Sequence, residues 1–399
     1  MTRVAIVGAG QSGLVLAHTL LEAGVEVEVF TNHDPSELRF GNAEPTQATF
    51  PATLEAEQQA GLDEWSTAAP RFATVSVSAR PPQAVPVGFV GALPGQGGVA
   101  VDPREKMAAW LESFDRRGGR VHIHGVTVSE LDWYACAGRY DLIVVAVGGG
   151  ELGALFAPDA EQAQAAGPRA LCQVYLDGLL PGEADVQVVT TPHGEIFRVP
   201  ILTGHGPAES VFLSARLEGA LDCRPTHGRR VDVYAELLTR LRAFAPDLYE
   251  QCATAEVVDA GAAILTRTKP ARRRPVGYLP SGGTVLGMGD TVRPLCPTTG
   301  QGWAGSTRAA LTYRDHILTR AKDGGPFDAA FMHHACADYD THFVQPAGGF
   351  LHMIEGFWSG DLSESERQRF HEATVDPEAA NAWLARWDHP SRSAPPVAP

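Results

Sequence analysis

The distribution of apolar and polar residues predicts a strand, a turn, a helix and a second strand at the start of the chain. Residues 4–7 form a continuous apolar run, which is typical of a parallel strand covered on both faces. Apolar residues then recur at helical spacing over residues 14–21, and alternation follows over residues 25–29. This order of elements predicts an α/β fold built on a parallel sheet.

The pattern changes several times along the rest of the chain. Residues 31–60 show no regular period, and residues 61–100 are rich in Pro and Gly, which predicts short strands joined by turns. A helix is predicted from Asp102-Pro103, because Pro is favoured in a first helical turn. The remaining predicted elements are strands at 120–124 and 140–147, an antiparallel region at 169–268 with one helix near 231–244, a strand at 284–288 and helices over 303–390.

Composition narrows the class of function. The 399 residues carry a net charge of −15, which disfavours nucleic acid and anionic membranes as partners. No run approaches the roughly 20 apolar residues that a membrane helix needs. The first strand begins at Arg3 without a leader-like segment, so we expect a cytoplasmic protein. The six cysteines lack C-x-x-C spacing and the histidine pairs at 122/124 and 333/334 lack a third ligand, so no metal site is expected.

A glycine-rich turn lies between the first strand and the first helix. Residues 8–13 have the G-x-G-x-x-G spacing of dinucleotide-binding turns. The first glycine permits the tight turn, the second lets the backbone approach a diphosphate, and the third allows close packing of helix against strand. The helix N-terminus then offers free N–H groups to the phosphates. The predicted ligands of the dinucleotide are Gly8, Gly10, Gln11, Ser12 and Gly13.

The acid that usually follows such a turn by about twenty residues is missing. The second strand ends at Thr31, and Glu28 lies inside the strand, where its side chain faces away. The ribose is therefore predicted to be held by Thr31 or by the following loop, in which Arg39 is the best candidate. A solvated Arg39 is an equal alternative.

A second glycine-containing segment lies far along the chain. The strand at 284–288 runs into Gly289-Asp290, where the carboxylate can accept a hydrogen bond from a ribityl hydroxyl. The helix that follows would place the backbone N–H groups of its first turn next to a flavin ring, where they would stabilise the anionic reduced form of the flavin. With the first turn, this segment predicts FAD as the cofactor. The predicted contacts are Gly289, Asp290, Pro297, Thr298, Thr299, Gly300, Gln301 and Gly302.

These motifs predict a Rossmann-type FAD-binding domain interleaved with an antiparallel-sheet substrate domain, followed by a helical C-terminus. The FAD-binding domain is expected at 1–165, with an irregular or β insertion at about 45–100, and again at 276–320. The other expected regions are a substrate-binding domain at 166–275, a helical region at 321–390 and a disordered Pro/Ser/Ala tail at 391–399.

The two motifs together resemble the FAD-dependent aromatic hydroxylase superfamily, and more narrowly the styrene and indole monooxygenases of two-component systems. Further similar stretches lie at 39–42, 101–104, 140–156 and 169–172. A second strand that ends in Thr is itself a trait of that family. Carried over residue by residue, the resemblance implies FAD ligands at Arg39 and Arg104, and a substrate cavity bordered by Asn42, Gln47, Thr298 and Trp303.

The resemblance also implies a mechanism without a catalytic acid, base or metal. Reduced FAD would react with O₂ to a C4a-hydroperoxide, and one oxygen atom would pass to an electron-rich small molecule by epoxidation, hydroxylation, or S- or N-oxygenation. An apolar pocket protects that adduct from losing peroxide. No second G-x-G-x-x-G follows a strand, so reduced FAD is expected from a separate NAD(P)H:flavin reductase, and a homodimer is one option.

Two alternatives stay open. One is a single-component NAD(P)H-dependent hydroxylase or a halogenase, although the Trp-x-Trp-x-Ile-Pro run of flavin halogenases is absent. The other is a flavin-binding protein without oxygenase activity. It is motivated by Cys296, where the family has Asp, and by Trp303-Ala304, where the family has Ala-Asn. Both departures bear on the substrate more than on the cofactor.

Overall fold

The fold was analysed in a computed structural model that describes residues 2–45, 48–159, 167–224 and 232–390. The strands in chain order are β1 (Arg3–Val7), β2 (Glu26–Thr31), β3 (Ala48–Thr49), β4 (Arg71–Phe72), β5 (Thr74–Ala79), β6 (Val87–Ala92), β7 (Gly98–Ala100), β8 (Arg120–Ile123), β9 (Leu142–Val145), β10 (Arg169–Asp177), β11 (Val186–Thr191), β12 (Gly194–Thr203), β13 (Gly206–Arg216), β14 (Glu256–Val257), β15 (Ala263–Thr268), β16 (Val276–Tyr278) and β17 (Thr284–Gly287). The helices are α1 (Gln11–Glu22), α2 (Pro35–Arg39), α3 (Pro51–Gln59), α4 (Pro103–Arg116), α5 (Val128–Cys136), α6 (Gly150–Gly153), α7 (Val233–Phe244), α8 (Pro246–Cys252), α9 (Gly302–Asp323), α10 (Ala329–Tyr339), α11 (Gln345–Ser359), α12 (Glu364–Val375) and α13 (Pro377–Asp388).

The first sheet has six strands in the order β16-β17-β9-β1-β2-β8. All neighbours pair in parallel except β16, which is antiparallel to β17. Strands β1 and β9 lie in the interior of this sheet, and their continuous apolar sequences are buried, as expected of a parallel sheet covered on both faces. Because β1 and β17 both neighbour β9, the glycine segments that follow them meet at the same edge of the sheet.

The second sheet has eight strands, in the order β14-β10-β13-β12-β11-β5-β6, with β15 also paired to β10. The predicted antiparallel pairing holds for every neighbour except β5 and β11, which run parallel. One face of this sheet packs against the C-terminal helices through an aromatic core. That core includes Phe72, Phe197, Phe212, Phe350, Trp383 and Trp387.

The C-terminal region is helical, as predicted. Helix α9 packs along α1 on the first sheet, whereas α12 and α13 pack against the edge strand β6 of the second sheet. Within the described residues, no helix combines the length and apolar character that crossing a membrane requires.

The structure corrects the sequence reading in two segments. Residues 31–60 were expected to be irregular but contain α2 and α3, each of which begins with Pro in its first turn. Helix α5 was not expected, although the Thr127 side chain caps it by accepting from the Glu130 N–H, a spacing that the sequence displays. The predicted tail at 391–399 lies outside the described residues.

Candidate flavin and substrate site

A cavity of about 750 Å³ opens along the carboxyl edge of the parallel sheet. Its volume lies within the range of roughly 300–1,000 Å³ that small-molecule and cofactor sites occupy. The walls come from the turn after β1, the ends of β2 and β9, the segment after β17 and the start of α9. The sequence-predicted residues that line it are Gly8, Gly10, Gln11, Ser12, Thr31, Asp290, Gly302 and Trp303.

The three glycines of the first turn have different structural roles. Gly8 has a φ of 116°, and a Cβ there would lie 2.3 Å from the Ala146 carbonyl oxygen. A Cβ on Gly13 would lie 2.0 Å from the Gly8 carbonyl oxygen. A Cβ on Gly10 would meet nothing within 4 Å. A side chain at Gly8 or Gly13 would therefore clash with the backbone of the fold. At Gly10 a side chain would clash with nothing, and its absence leaves space in the cavity for a ligand.

The N-terminus of α1 is available to an anion. Among the described residues no side chain caps it, and its first turn contains no acid. The helix dipole therefore faces the cavity without compensation, which favours phosphate binding. Gln11 points its amide N–H groups at Glu57 and Thr307, and its buried Oε1 has no hydrogen-bond partner in the described part of the chain.

The two glycine segments touch each other. Gly289 has a φ of 58°, and a Cβ there would lie 2.6 Å from Ser12 Oγ. The Asp290 side chain is exposed on the cavity wall, where desolvation by the surrounding protein together with nearby Glu44 raises its pKa to about 6. No hydrogen bond from a described residue offsets this rise. An acceptor left without donors in a nucleotide-sized cavity fits a polyhydroxylated chain such as ribityl, so the residues present fit FAD.

Asp290 gives FAD binding a predicted pH dependence. A hydroxyl group donates a stronger hydrogen bond to the ionised carboxylate than to the protonated acid, so FAD affinity is expected to fall as the pH drops through about 6. Asp290→Asn should bind FAD about tenfold more weakly near neutral pH, because a hydrogen bond to a charged group is worth roughly 1.5–3 kcal/mol. Flavin fluorescence titrations at several pH values measure both effects. Asp323→Asn, on the exposed end of α9, is the control, and a pH profile shared by all three proteins would contradict the assignment.

Arg39 and Arg104 are not among the described residues that line the cavity. Arg39 donates to both carboxylate oxygens of Glu112, at 2.6 and 2.9 Å. Arg104 is buried and pairs with Asp102 and Asp259, at 2.7 and 2.9 Å. Each would have to exchange a carboxylate partner to reach the cofactor, and their role as FAD ligands stays a prediction.

Two further predicted residues are placed differently. Asn42 is exposed and is not among the described residues that line the three cavities, although the backbone N–H of the neighbouring Ala43 donates to the Gly261 carbonyl. Gln47 lies outside the described residues.

The two residues considered for the ribose on β2 also have partners within the protein. Thr31 is buried at the end of β2, and its hydroxyl donates to the His33 carbonyl at 3.3 Å. The Glu28 carboxylate is hydrogen-bonded to His122 and Tyr140, away from the glycine-rich turn.

Residues between Pro297 and Trp303 contribute to the walls of three cavities. Gly302 and Trp303 line the large cavity, and Pro297 and Gly300 line a second, apolar cavity. Thr298 lines a third cavity beneath the C-terminal helices. The aromatic side chains that line the second cavity are Phe50, Phe72, Phe197, Phe212 and Trp387.

Helix α13 fixes this segment from the C-terminal side. The Trp387 indole donates to the Thr299 carbonyl at 2.6 Å, and the Gln301 amide donates to the Trp387 carbonyl at 2.6 Å. Gly300 between them has a φ of 64°, the left-handed conformation that favours glycine. The aromatic role of α13 could have been suspected from Trp383 and Trp387, which lie one helical turn apart.

Trp303 both packs and lines the cavity. Its indole donates to Glu57 Oε1 at 2.8 Å, and the Lys106 ammonium lies 4.7 Å from the ring centroid. Lys106 is buried and pairs with Glu57 Oε2 at 2.6 Å. Sequence reasoning missed this buried ion pair, because its members lie on different helices and neither belongs to a motif.

Cys296 is a buried packing residue beside Leu351. Burial raises the pKa of its thiol, so the thiolate that a nucleophile requires is disfavoured. No group of three or more potential metal ligands occurs in the part of the chain that the structure describes.

Comparisons with known proteins show which families this chain is similar to. Residues 1–77 match the family model of an FAD binding domain, and residues 148–251 match that of the styrene monooxygenase A substrate binding domain. Styrene monooxygenase StyA of Pseudomonas fluorescens is 28% identical over 366 residues, which cover 86% of this chain and 85% of the relative. A second StyA, from a Pseudomonas species, is 28% identical over 344 residues, which cover 83% and 80%.

Solved structures share the fold at low sequence identity. The flavin-dependent brominase Bmp2 superposes with a TM-score of 0.68 at 14% identity, covering 94% of this chain and 93% of that one. The p-nitrophenol 4-monooxygenase PnpA from Pseudomonas putida DLL-E4 has a TM-score of 0.65 at 14% identity, covering 98% and 100%. These similarities and the sequence matches confirm the predicted α/β fold, the resemblance and FAD as the cofactor.

Proposed function

We propose that this chain, an FAD-dependent monooxygenase, is the oxygenase component of a two-component system that receives reduced FAD from a separate NAD(P)H:flavin reductase. It would transfer one oxygen atom from O₂ to an electron-rich aromatic molecule. The observation that carries the proposal is the position of residues 296–303. They contribute to the walls of the nucleotide-sized cavity and of two largely apolar cavities, so substrate and flavin would bind within a few residues of each other along this segment.

The protein's own contribution is binding, orientation and exclusion of water, while bound reduced FAD supplies the activation of O₂. The turn at 8–13 would hold the diphosphate, Thr31 a ribose and Asp290 the ribityl chain. Helix α9 begins beside residues 296–301 with no acid in its first turn and, among the described residues, no side-chain cap. Its N-terminus would therefore stabilise negative charge on the reduced ring system.

The substrate class follows from the walls of the two smaller cavities. They are dominated by Phe, Trp and aliphatic side chains, which favour a flat aromatic molecule through edge-to-face and stacked contacts. Each measures only about 50 Å³, and Phe197 and Trp387 border both. A bound arene would shift one of these rings and join the two spaces. Because the curated relatives are styrene monooxygenases, epoxidation of an alkenyl arene is the first reaction to test.

The test separates the proposal from its alternatives. Purified protein with FAD, O₂ and styrene should form no epoxide on addition of NADH or NADPH alone, and should form it when an unrelated flavin reductase is added. Turnover without a reductase would show a single-component hydroxylase. Consumption of reduced FAD with hydrogen peroxide as the only product, across styrene, indole and an aryl sulfide, would show a flavin-binding protein without oxygenase activity.

A further inference from the structure

A buried acid interrupts the apolar wall of the third cavity. Glu195 lies on β12 with 5% of its surface exposed, and its side chain lines this cavity beside Phe197, Trp383 and Trp387. Another acid on the same wall, Glu366, is neutralised by two hydrogen bonds from the Arg386 guanidinium. Glu195 has no such saturating partner.

The contacts of Glu195 leave one carboxylate oxygen unused. Thr298 Oγ1 donates to Glu195 Oε2 at 3.1 Å and is itself 3.1 Å from Ser214 Oγ. Arg169 Nη1 lies 3.5 Å from the same Oε2, within ion-pair distance, yet makes no hydrogen bond in the described part of the chain. No hydrogen bond from the described residues reaches Glu195 Oε1. The Glu195 carboxylate and the Arg169 Nη1 group therefore lie close together, and each has hydrogen-bonding capacity that the described residues leave unused.

Such an arrangement is unfavourable for an empty apolar cavity. Burial raises the pKa of Glu195 to about 7 despite the opposing charge of Arg169. A partly satisfied buried polar group costs free energy that an aliphatic residue of similar size would not. Buried polar groups in proteins almost always find a partner, so an unused acceptor on a cavity wall indicates a ligand that donates a hydrogen bond.

We propose that Glu195, held in place by Thr298, is the polar anchor of the substrate site and selects neutral aromatic molecules that carry an N–H or O–H group. Thr298 belongs to the segment that also borders the flavin cavity, so a molecule anchored at Glu195 is oriented relative to the flavin. This inference rests on the proposed function and adds the specificity that the aromatic walls alone do not supply.

The experiment compares indole with indene, which has the same bicyclic shape and a reactive double bond but no N–H group. Binding of each to FAD-free protein is measured by calorimetry, and oxygenation of each by reductase-coupled turnover. Wild-type protein should prefer indole about tenfold in both assays, since an unpaired polar group disfavours the analogue that lacks the donor. Glu195→Leu should lose this preference by weakening indole, with indene unchanged or improved.

Two further variants keep the result interpretable. Glu195→Gln retains an acceptor oxygen and should keep part of the preference, even if Glu195→Leu does not fold. Glu209→Gln, a partly buried acid on the neighbouring strand β13 that pairs with Arg198 away from the cavity, should leave the preference intact.

Equal binding of indole and indene to wild-type protein, or parallel losses for both in the Glu195 variants, would overturn the inference. Clear indole-selective binding with no oxygenation of either compound would instead refute the proposed function and leave the anchor standing.

Discussion

Replacing Gly10 with Asp is expected to weaken FAD binding roughly 100-fold or more while leaving the fold intact. A Cβ at this position meets nothing within 4 Å, so the side chain fits the protein and points into space that the diphosphate needs. A carboxylate about 4 Å from a phosphate at an effective dielectric constant near 20 costs on the order of 4 kcal/mol, and each 1.4 kcal/mol is about tenfold in affinity. Flavin fluorescence titration measures the loss.

The control for this variant is Gly349→Asp, which adds the same charge at an exposed, unobstructed site on α11. It should bind FAD as the wild type does. Thermal unfolding should show little difference between the two variants, because neither Cβ meets another atom. Wild-type affinity in Gly10→Asp, with a normal unfolding curve, would mean that the diphosphate does not bind at the start of α1.

Replacing Glu57 with Gln is expected to lower the free energy of unfolding by about 3–5 kcal/mol, because it leaves a buried charge without its partner. Lys106 is 2% exposed, lies among the rings of Trp110 and Trp303, and contacts Glu57 at 2.6 Å. Burial alone already lowers the pKa of Lys106, and the Glu57 carboxylate is the main influence that opposes this. Urea unfolding followed by circular dichroism measures the change.

Two comparisons sharpen this test. Glu55→Gln, on the exposed face of the same helix α3, should change stability by no more than about 0.5 kcal/mol. The double variant Glu57→Gln/Lys106→Met should recover most of the loss, because it removes the unpaired buried charge and keeps an acceptor oxygen for Gln11 and Trp303. Equal stability of Glu57→Gln and Glu55→Gln would contradict the assigned role.

Two segments that border the large cavity could be recognised in the sequence because their signals are local. The spacing of residues 8–13 between a buried strand and a helix, and the Gly289-Asp290 step at the end of another strand, depend on neighbours in sequence. The structure places Gly289 against Ser12, so the two segments do form one cavity edge. The Gly289-Asp290 step alone is equally typical of a turn, and it indicated a nucleotide only in combination with the first glycine-rich turn.

Other features could not be predicted because they depend on which side chains meet across the fold. Arg39 has the right residue type and position for a cofactor ligand, but the structure pairs it with Glu112 on α4. Glu195 belongs to no sequence motif. Its contact with Thr298 and its place in the cavity wall depend on how β12 packs against residue 298 and the aromatic residues of the C-terminal helices. Partner choice of this kind is set by tertiary packing, which sequence periodicity does not encode.

The most direct test of the account is a single turnover without any reductase or nicotinamide. Free FAD is reduced anaerobically, mixed with the protein and an aromatic substrate, and then exposed to O₂. Wild-type protein should form oxygenated product in an amount close to that of the bound flavin, with little hydrogen peroxide, and Gly10→Asp should form no product at the same flavin concentration. Hydrogen peroxide as the sole product, from wild type and variant alike, would contradict the proposed function.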